Sequence, residues 1–194
     1  VGKPIRLNTA IAKSCNSYFS NTYKRIVEKS GNAPQGMDNW STHVKSFGLG
    51  NYLGYDMPEG DPGLIPNGEY YNKIHKFRWS ASTNISNAIG QGEVLVTPIQ
   101  LANVTAAIAN RGYFHTPHII KNINNNPIQD SSYTDRKLTT IDKKYFEPVI
   151  EGMYEVFTTG TAKHYPLKGI EIAGKTGTVE NFIIVDGKRK QLED

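Results

Sequence analysis

The 194 residues include one cysteine, Cys15, so no internal disulfide and no multi-cysteine metal cage can form. Long apolar runs are also missing. No uninterrupted apolar stretch exceeds Phe182-Ile183-Ile184-Val185, far short of the roughly 20 residues that a membrane-spanning helix needs. No charged-then-apolar leader opens the sequence, and the chain taken alone is expected to be soluble. Charge asymmetry is slight: 22 Lys plus Arg against 18 Asp plus Glu leave a net +4, with the basic residues scattered rather than striped, so nucleic acid is not indicated as a partner. The histidines show no HExxH-type spacing; His115 and His118 merely flank Pro117, and no metal site is expected. What remains, at 38% hydrophobic and 10% aromatic, is the composition of an ordinary globular domain.

Periodicity divides the chain into elements. Ile11, Cys15, Tyr18, Phe19, Ile26 and Val27 recur at helical spacing across residues 8 to 30, with Asn8 as a cap, Gly31 after the end and an interruption near Ser14. Met37, Trp40, Val44 and Phe47 predict a short amphipathic helix stopped by Gly48. From Gly48 to Gly92 the Gly and Pro content predicts a long loop, a feature that is usually functional inside compact domains. Thr97-Pro98-Ile99-Gln100 has the cap, first-turn proline and capping-box glutamine of a helix start, and that helix runs to Arg111-Gly112. His118 to Ile123 reads as a strand ending in an Asn124-Asn125-Asn126-Pro127 turn. Another helix carries Phe146, Val149, Ile150, Met153, Val156 and Phe157, its regular part beginning near Pro148. Ile170 to Val179 and Phe182 to Val185 read as two strands joined at Glu180-Asn181. The expected class is α+β, helices packed on an antiparallel sheet.

Gly169 to Thr176 satisfies the phosphate-loop pattern GxxxxGK[ST]. That loop must follow an apolar strand and open a helix, so that backbone amides and the helix N-terminus face the phosphates. Here His164-Tyr165-Pro166-Leu167-Lys168 precedes it and Gly177-Thr178-Val179 continues as β, so no nucleotide and no other cofactor is expected. As a strand, the segment places Lys175 and Gly177 on one face and Thr176 and Thr178 on the other, and twist at Gly177 can gather Lys and Thr over one cleft. The four letters alone fit a surface strand with a solvated lysine better.

Their company is more specific. Lys175-Thr176-Gly177-Thr178 resembles the Lys-Thr-Gly signature of penicillin-recognising serine acyltransferases, whose other motifs are Ser-x-x-Lys and Ser-x-Asn. Ser14-Cys15-Asn16 fits the latter, as do Ser30-Gly31-Asn32 and Ser82-Thr83-Asn84, but only the first stands within Leu7-Asn8-Thr9-Ala10-Ile11-Ala12-Lys13-Ser14-Cys15-Asn16-Ser17-Tyr18-Phe19, which resembles the second-motif region of class B penicillin-binding proteins, the elongation (penicillin-binding protein 2) type above all. Phe47-Gly48-Leu49-Gly50, Ala88-Ile89-Gly90-Gln91-Gly92-Glu93, Thr97-Pro98-Ile99-Gln100-Leu101-Ala102, Thr159-Gly160-Thr161-Ala162 and Ala173-Gly174 before the lysine continue the resemblance along nearly the whole chain.

The resemblance implies a D,D-transpeptidase that crosslinks peptidoglycan stem peptides through a serine acyl-enzyme and is trapped by β-lactam antibiotics. It implies that Ser14 relays a proton, Asn16 hydrogen-bonds the substrate amide, Lys175 is the electrostatic clamp, and Thr176 and Thr178 hold a carboxylate beside Gly177, with the Thr178 amide as an oxyanion donor. Cys15, the middle residue of its motif, is expected to be a packed thiol. The further implied partners are a membrane glycosyltransferase and the elongation machinery. The implied location is the outer, periplasmic face of the cytoplasmic membrane, held by an N-terminal anchor outside these residues.

One departure matters. No serine here has a lysine three residues later, so the nucleophile motif is absent from these residues. The expectation is therefore that residues 1–194 are part of a transpeptidase domain, incomplete at both ends and inactive alone. A serine β-lactamase or β-lactam sensor, and a non-catalytic cell-wall binding module, are the alternatives.

Overall fold

A serine stands where the first helical segment breaks, and that break organises the N-terminal part of the fold. The computed structural model describes residues 4–54, 56–57, 59–165, 167–178 and 182–191. Helix α1 (Leu7–Ala12) closes with the Ser14 N–H on the Ile11 carbonyl (3.1 Å) and the Cys15 N–H on the Ala10 carbonyl (2.9 Å), Ser14 itself lying at φ 52°. This pair of bonds closes a helix around a left-handed residue, usually glycine. A serine there holds a conformation that costs about 1–2 kcal/mol, so the chain tolerates strain to keep a hydroxyl at that point.

Helix α2 (Asn16–Glu28) follows at once and crosses α3 (Ala33–Lys45), which starts earlier than the Met37 to Phe47 periodicity predicts because the Asn32 side chain caps it through the Gln35 N–H at 2.9 Å. Backbones touch at the crossing: a Cβ on Gly36 would lie 1.8 Å from the Val27 carbonyl oxygen. The segment from Gly48 to Gly92 is not loop throughout. It contains helix α4 (Gly68–His75), capped by Asn67 through the Tyr70 N–H at 2.9 Å, and a 3-10 turn at Ile85–Ile89. The density of Gly and Pro around them hides both in the sequence. Helix α5 (Pro98–Ala109) has the expected capping box, and its Gln100, wholly buried, also donates to the carbonyls of Asn51 (3.0 Å) and Pro62 (2.9 Å), which pins the preceding loop.

Beyond α5 come strands β1 (Tyr113–Phe114), β2 (Asn122–Ile123) and β3 (Asn126–Pro127), the short helix α6 (Ser131–Thr134), β4 (Lys137–Leu138), helix α7 (Glu147–Thr158), and the hairpin β5 (Phe182–Val185) and β6 (Lys188–Gln191). Among the described residues they form three two-stranded antiparallel ladders, β1 with β4, β2 with β3 and β5 with β6. The class is α+β, as expected, with helices dominant. Three details differ from the sequence reading. The strand predicted for His118 to Ile123 is only Asn122–Ile123, turning through left-handed Asn124 and Asn125. Residues 170–178, read as a strand, carry no regular secondary structure and join no ladder, because the segment has no strand partner among the described residues. Phe182–Val185 is a strand, yet it pairs forward with Lys188–Gln191 around Asp186 and Gly187 (φ 51° and 71°); Val179 and the Glu180-Asn181 connection lie outside the described residues.

Two apolar clusters hold the helices. Tyr23, Val27, Met37, Tyr71 and Ala81 bury one between α2, α3 and α4, with Trp40, Trp79 and Ala88 packed against it. Ile11, Met153, Val156 and Ala162 bury the other, where α1 lies on α7. At that contact the Asn8 amide donates to Glu155 Oε1 at 2.7 Å, and a Cβ on Gly152 would approach Asn8 Cα to 3.0 Å. Helix α7 is thus the platform on which the α1–α2 break is fixed.

Candidate active site

Ser14 and Lys175 lie 161 residues apart in sequence, and Lys175 Nζ donates to Ser14 Oγ at 2.9 Å. The same ammonium donates to the Thr176 carbonyl (2.9 Å) and to Thr176 Oγ1 (3.2 Å), and Thr176 Oγ1 bonds Thr161 Oγ1 at 2.9 Å. Local structure explains each placement. The α1 break leaves Ser14 outside both helices, and Asn16 opens α2 beside it. The segment bearing Lys175 is fixed to the same platform through the Gly174 N–H, which donates to the Met153 carbonyl of α7 at 3.1 Å. Side chains thus come together because both halves are fastened to one helix.

Ser14, Asn16, Lys175, Thr176, Gly177 and Thr178 all line one cleft of about 450 Å³. All six site residues expected from the sequence are gathered there. Lys175 and Thr176 reach the same cleft, with Lys175 Nζ turned onto the Thr176 carbonyl and hydroxyl. The far wall consists of Phe19 and of Ala88, Ile89 and Gln91 from the 3-10 turn and its exit. These residues were quoted in the sequence only as landmarks. Their role is visible once the Gly48 to Gly92 segment is seen to fold back on α2. A buried polar chain supports that wall: Asn87 donates to the Tyr71 hydroxyl (2.9 Å), which donates to Glu93 Oε2 (2.6 Å). Burial pushes the Tyr23 phenol up to about 12, and burial together with the Glu93 bond raises Tyr71 further, so both stay protonated donors.

The cleft is cationic. No Asp or Glu is among its described lining residues, and no ion pair among the described residues involves Lys175. Desolvation holds Lys175 below the usual lysine range. A lysine flanked by two or more hydroxyls can bind a carboxylate, stabilise a developing oxyanion and exchange a proton with Ser14. The phosphate-loop pattern makes no such loop, since residues 177 and 178 start no helix. Cys15 is free and half-buried, and no group of His, Cys, Asp or Glu among the described residues could hold a metal ion. No helix of the described residues is long and apolar enough to cross a membrane.

The chain is similar in sequence and fold to known proteins. The family model described as "Penicillin binding protein transpeptidase domain" matches residues 1–191. The chain is 31% identical to "Peptidoglycan D,D-transpeptidase MrdA" of Acinetobacter baumannii, over 95% of this chain and 26% of that protein. It is equally 31% identical to the MrdA of Haemophilus influenzae, over 97% of this chain and 29% of that protein. The structure of the complex between PBP2 and MreC from Helicobacter pylori superposes with a TM-score of 0.73 at 30% identity, covering 91% of this chain and 31% of that one. Pseudomonas aeruginosa PBP2 in complex with WCK 5153 gives 0.69 at 30% identity, covering 82% and 34%. The chain spans 26% and 29% of the length of those two curated relatives.

Proposed function

The chain belongs to the penicillin-binding protein transpeptidase domain family, and from that membership we propose that it is part of a peptidoglycan D,D-transpeptidase. The observation that carries the reading is the 2.9 Å bond from Lys175 to Ser14 over an otherwise uncharged cleft. Residues 1–194 form one partial transpeptidase domain, and the acylated serine comes from outside them. That serine attacks the penultimate D-alanine carbonyl of a stem peptide, terminal D-alanine leaves, and a neighbouring amine takes the acyl group.

The roles follow from position. Ser14 carries the proton between the acylating centre and the leaving or attacking nitrogen, from a left-handed position between α1 and α2. Asn16, on the first turn of α2, orients the substrate amide. Lys175 neutralises the terminal carboxylate and the developing oxyanion, with Thr176 and Thr178 as hydroxyl donors and the Thr178 N–H as one oxyanion donor. Gly177 leaves open space, since a Cβ there would meet nothing within 4 Å, so an extended peptide can lie along the strand-like segment. β-Lactams occupy the same cleft. Peptidoglycan stem peptides are the substrates, a membrane glycosyltransferase and the elongation machinery are the partners, and the site of action is the outer face of the cytoplasmic membrane.

Penicillin tests this directly. Intact-mass spectrometry of the full-length protein with labelled penicillin is expected to show a stoichiometric adduct, and the 194-residue chain alone none, because none of its serines has the activating lysine. An adduct on the isolated chain would place the nucleophile inside it; no adduct on either protein would remove the acyltransferase reading.

A further inference from the structure

Thr161, read in the sequence only as part of the Thr159-Gly160-Thr161-Ala162 stretch and given no role there, touches both halves of the site. Its backbone N–H donates to the Ala12 carbonyl at 3.0 Å, two residues before Ser14, and its hydroxyl bonds Thr176 Oγ1 at 2.9 Å, next to Lys175. The links close into a ring: Ala12 to Thr161, Thr161 to Thr176, Thr176 to Lys175 at 3.2 Å, Lys175 to Ser14 at 2.9 Å, and back along the chain to Ala12. Gly160 makes the approach possible, because a Cβ there would fall 2.3 Å from the Ala12 carbonyl oxygen. Ser14 and Lys175 therefore share one external reference besides their own bond.

We infer that Thr161 is a positioning residue that sets the spacing of Lys175 and Thr176 against Ser14 and holds the Thr176 hydroxyl in register as substrate arrives; the inference rests on the acyltransferase reading above. Hydrogen-bond arithmetic gives it a direction. In the free cleft Thr176 Oγ1 accepts from the Lys175 ammonium, and with one proton and a second lone pair left it can either donate to or accept from Thr161 Oγ1. When a substrate carboxylate takes the Thr176 proton as a hydrogen bond, Thr161 must be the donor to Thr176. A hydroxyl can make both arrangements, whereas an isosteric methyl can make neither.

Thr161→Val in the full-length protein removes only the hydroxyl and keeps the N–H bond to Ala12. The acylation rate constant at saturating penicillin is expected to fall roughly tenfold, the scale of one hydrogen bond, while Thr161→Ser stays within about twofold of the unsubstituted protein. The alkaline limb of the acylation profile moves to lower pH in the valine variant, because Thr176 can rotate away and the ammonium loses an acceptor. Tm stays level, since Thr161 is exposed. Unchanged acylation and pH limb in Thr161→Val, beside a slowed Lys175→Ala, overturns the positioning role and leaves the acyltransferase reading standing. A rate loss that tracks a fall in Tm and is not restored by serine makes Thr161 structural and also overturns it. If the unsubstituted protein is not acylated, the acyltransferase reading fails and the role of Thr161 with it.

Discussion

Lys175→Ala in the full-length protein is expected to slow acylation by penicillin at least about a hundredfold, the usual scale for losing one electrostatic donor at a developing oxyanion. Tm should change by no more than about 2 °C, because exposed substitutions that leave no cavity stay within about 0.5 kcal/mol. Lys175 is exposed, has no ion-pair partner among the described residues, and its three bonds end on Ser14 and Thr176, which solvent can satisfy. A pH profile adds a second check. The active form is the ammonium, populated below its pKa and lost as pH rises through it; desolvation lowers that pKa, so the alkaline limb should lie below the ordinary lysine value of 10.5. Stopped-flow acylation and a thermal melt on the same sample decide the matter. An unchanged rate removes Lys175 from the chemistry, and a collapsed Tm makes it structural.

Gly160→Ala should damage rate and stability together. Its new Cβ would meet backbone on every side, 2.3 Å from the Ala12 carbonyl oxygen, 2.6 Å from Val156 Cα and 2.9 Å from the Glu155 carbonyl oxygen. None of these is a flexible side-chain end, so α1 must move off α7. Overpacking of this kind costs roughly 1–3 kcal/mol, which lowers Tm by several degrees. Ser14 follows Ala12 by two residues and moves with it, and a displacement of about 1 Å at a reacting group can cost about a hundredfold in rate. A variant that keeps both Tm and acylation would show that the α1–α7 contact does not set the site.

Local signals carried much of the site into the sequence. The break near Ser14, the Thr97 to Gln100 capping box and the helix around Pro148 are short-range features, and each stands in the structure. The motif residues were legible because their chemistry is narrow: a lysine, hydroxyls and a glycine on extended chain. Long-range consequences were not. Nothing in residues 68–75 outweighs the surrounding Gly and Pro until Asn67 is seen capping Tyr70, and nothing in residues 88–91 says that they face Lys175 until the turn packs on α2. Thr161 escaped for the same reason, since its function depends on a carbonyl and a hydroxyl that are remote in sequence. The patterning of residues 170–178 was read as a strand, and the structure has no strand there, because pairing needs a partner and none is among the described residues.

The central claim is that the Ser14–Lys175 cleft serves acyl transfer from D-alanyl-D-alanine stems to an amine. The most direct measurement gives the full-length protein glycan strands bearing such stems and follows crosslinked products and free D-alanine together by mass spectrometry. The account predicts crosslinked dimers with one D-alanine released per crosslink, both abolished by penicillin and by Lys175→Ala. Hydrolysis of penicillin without crosslinks, or a stable penicillin adduct without any release of D-alanine, would contradict it.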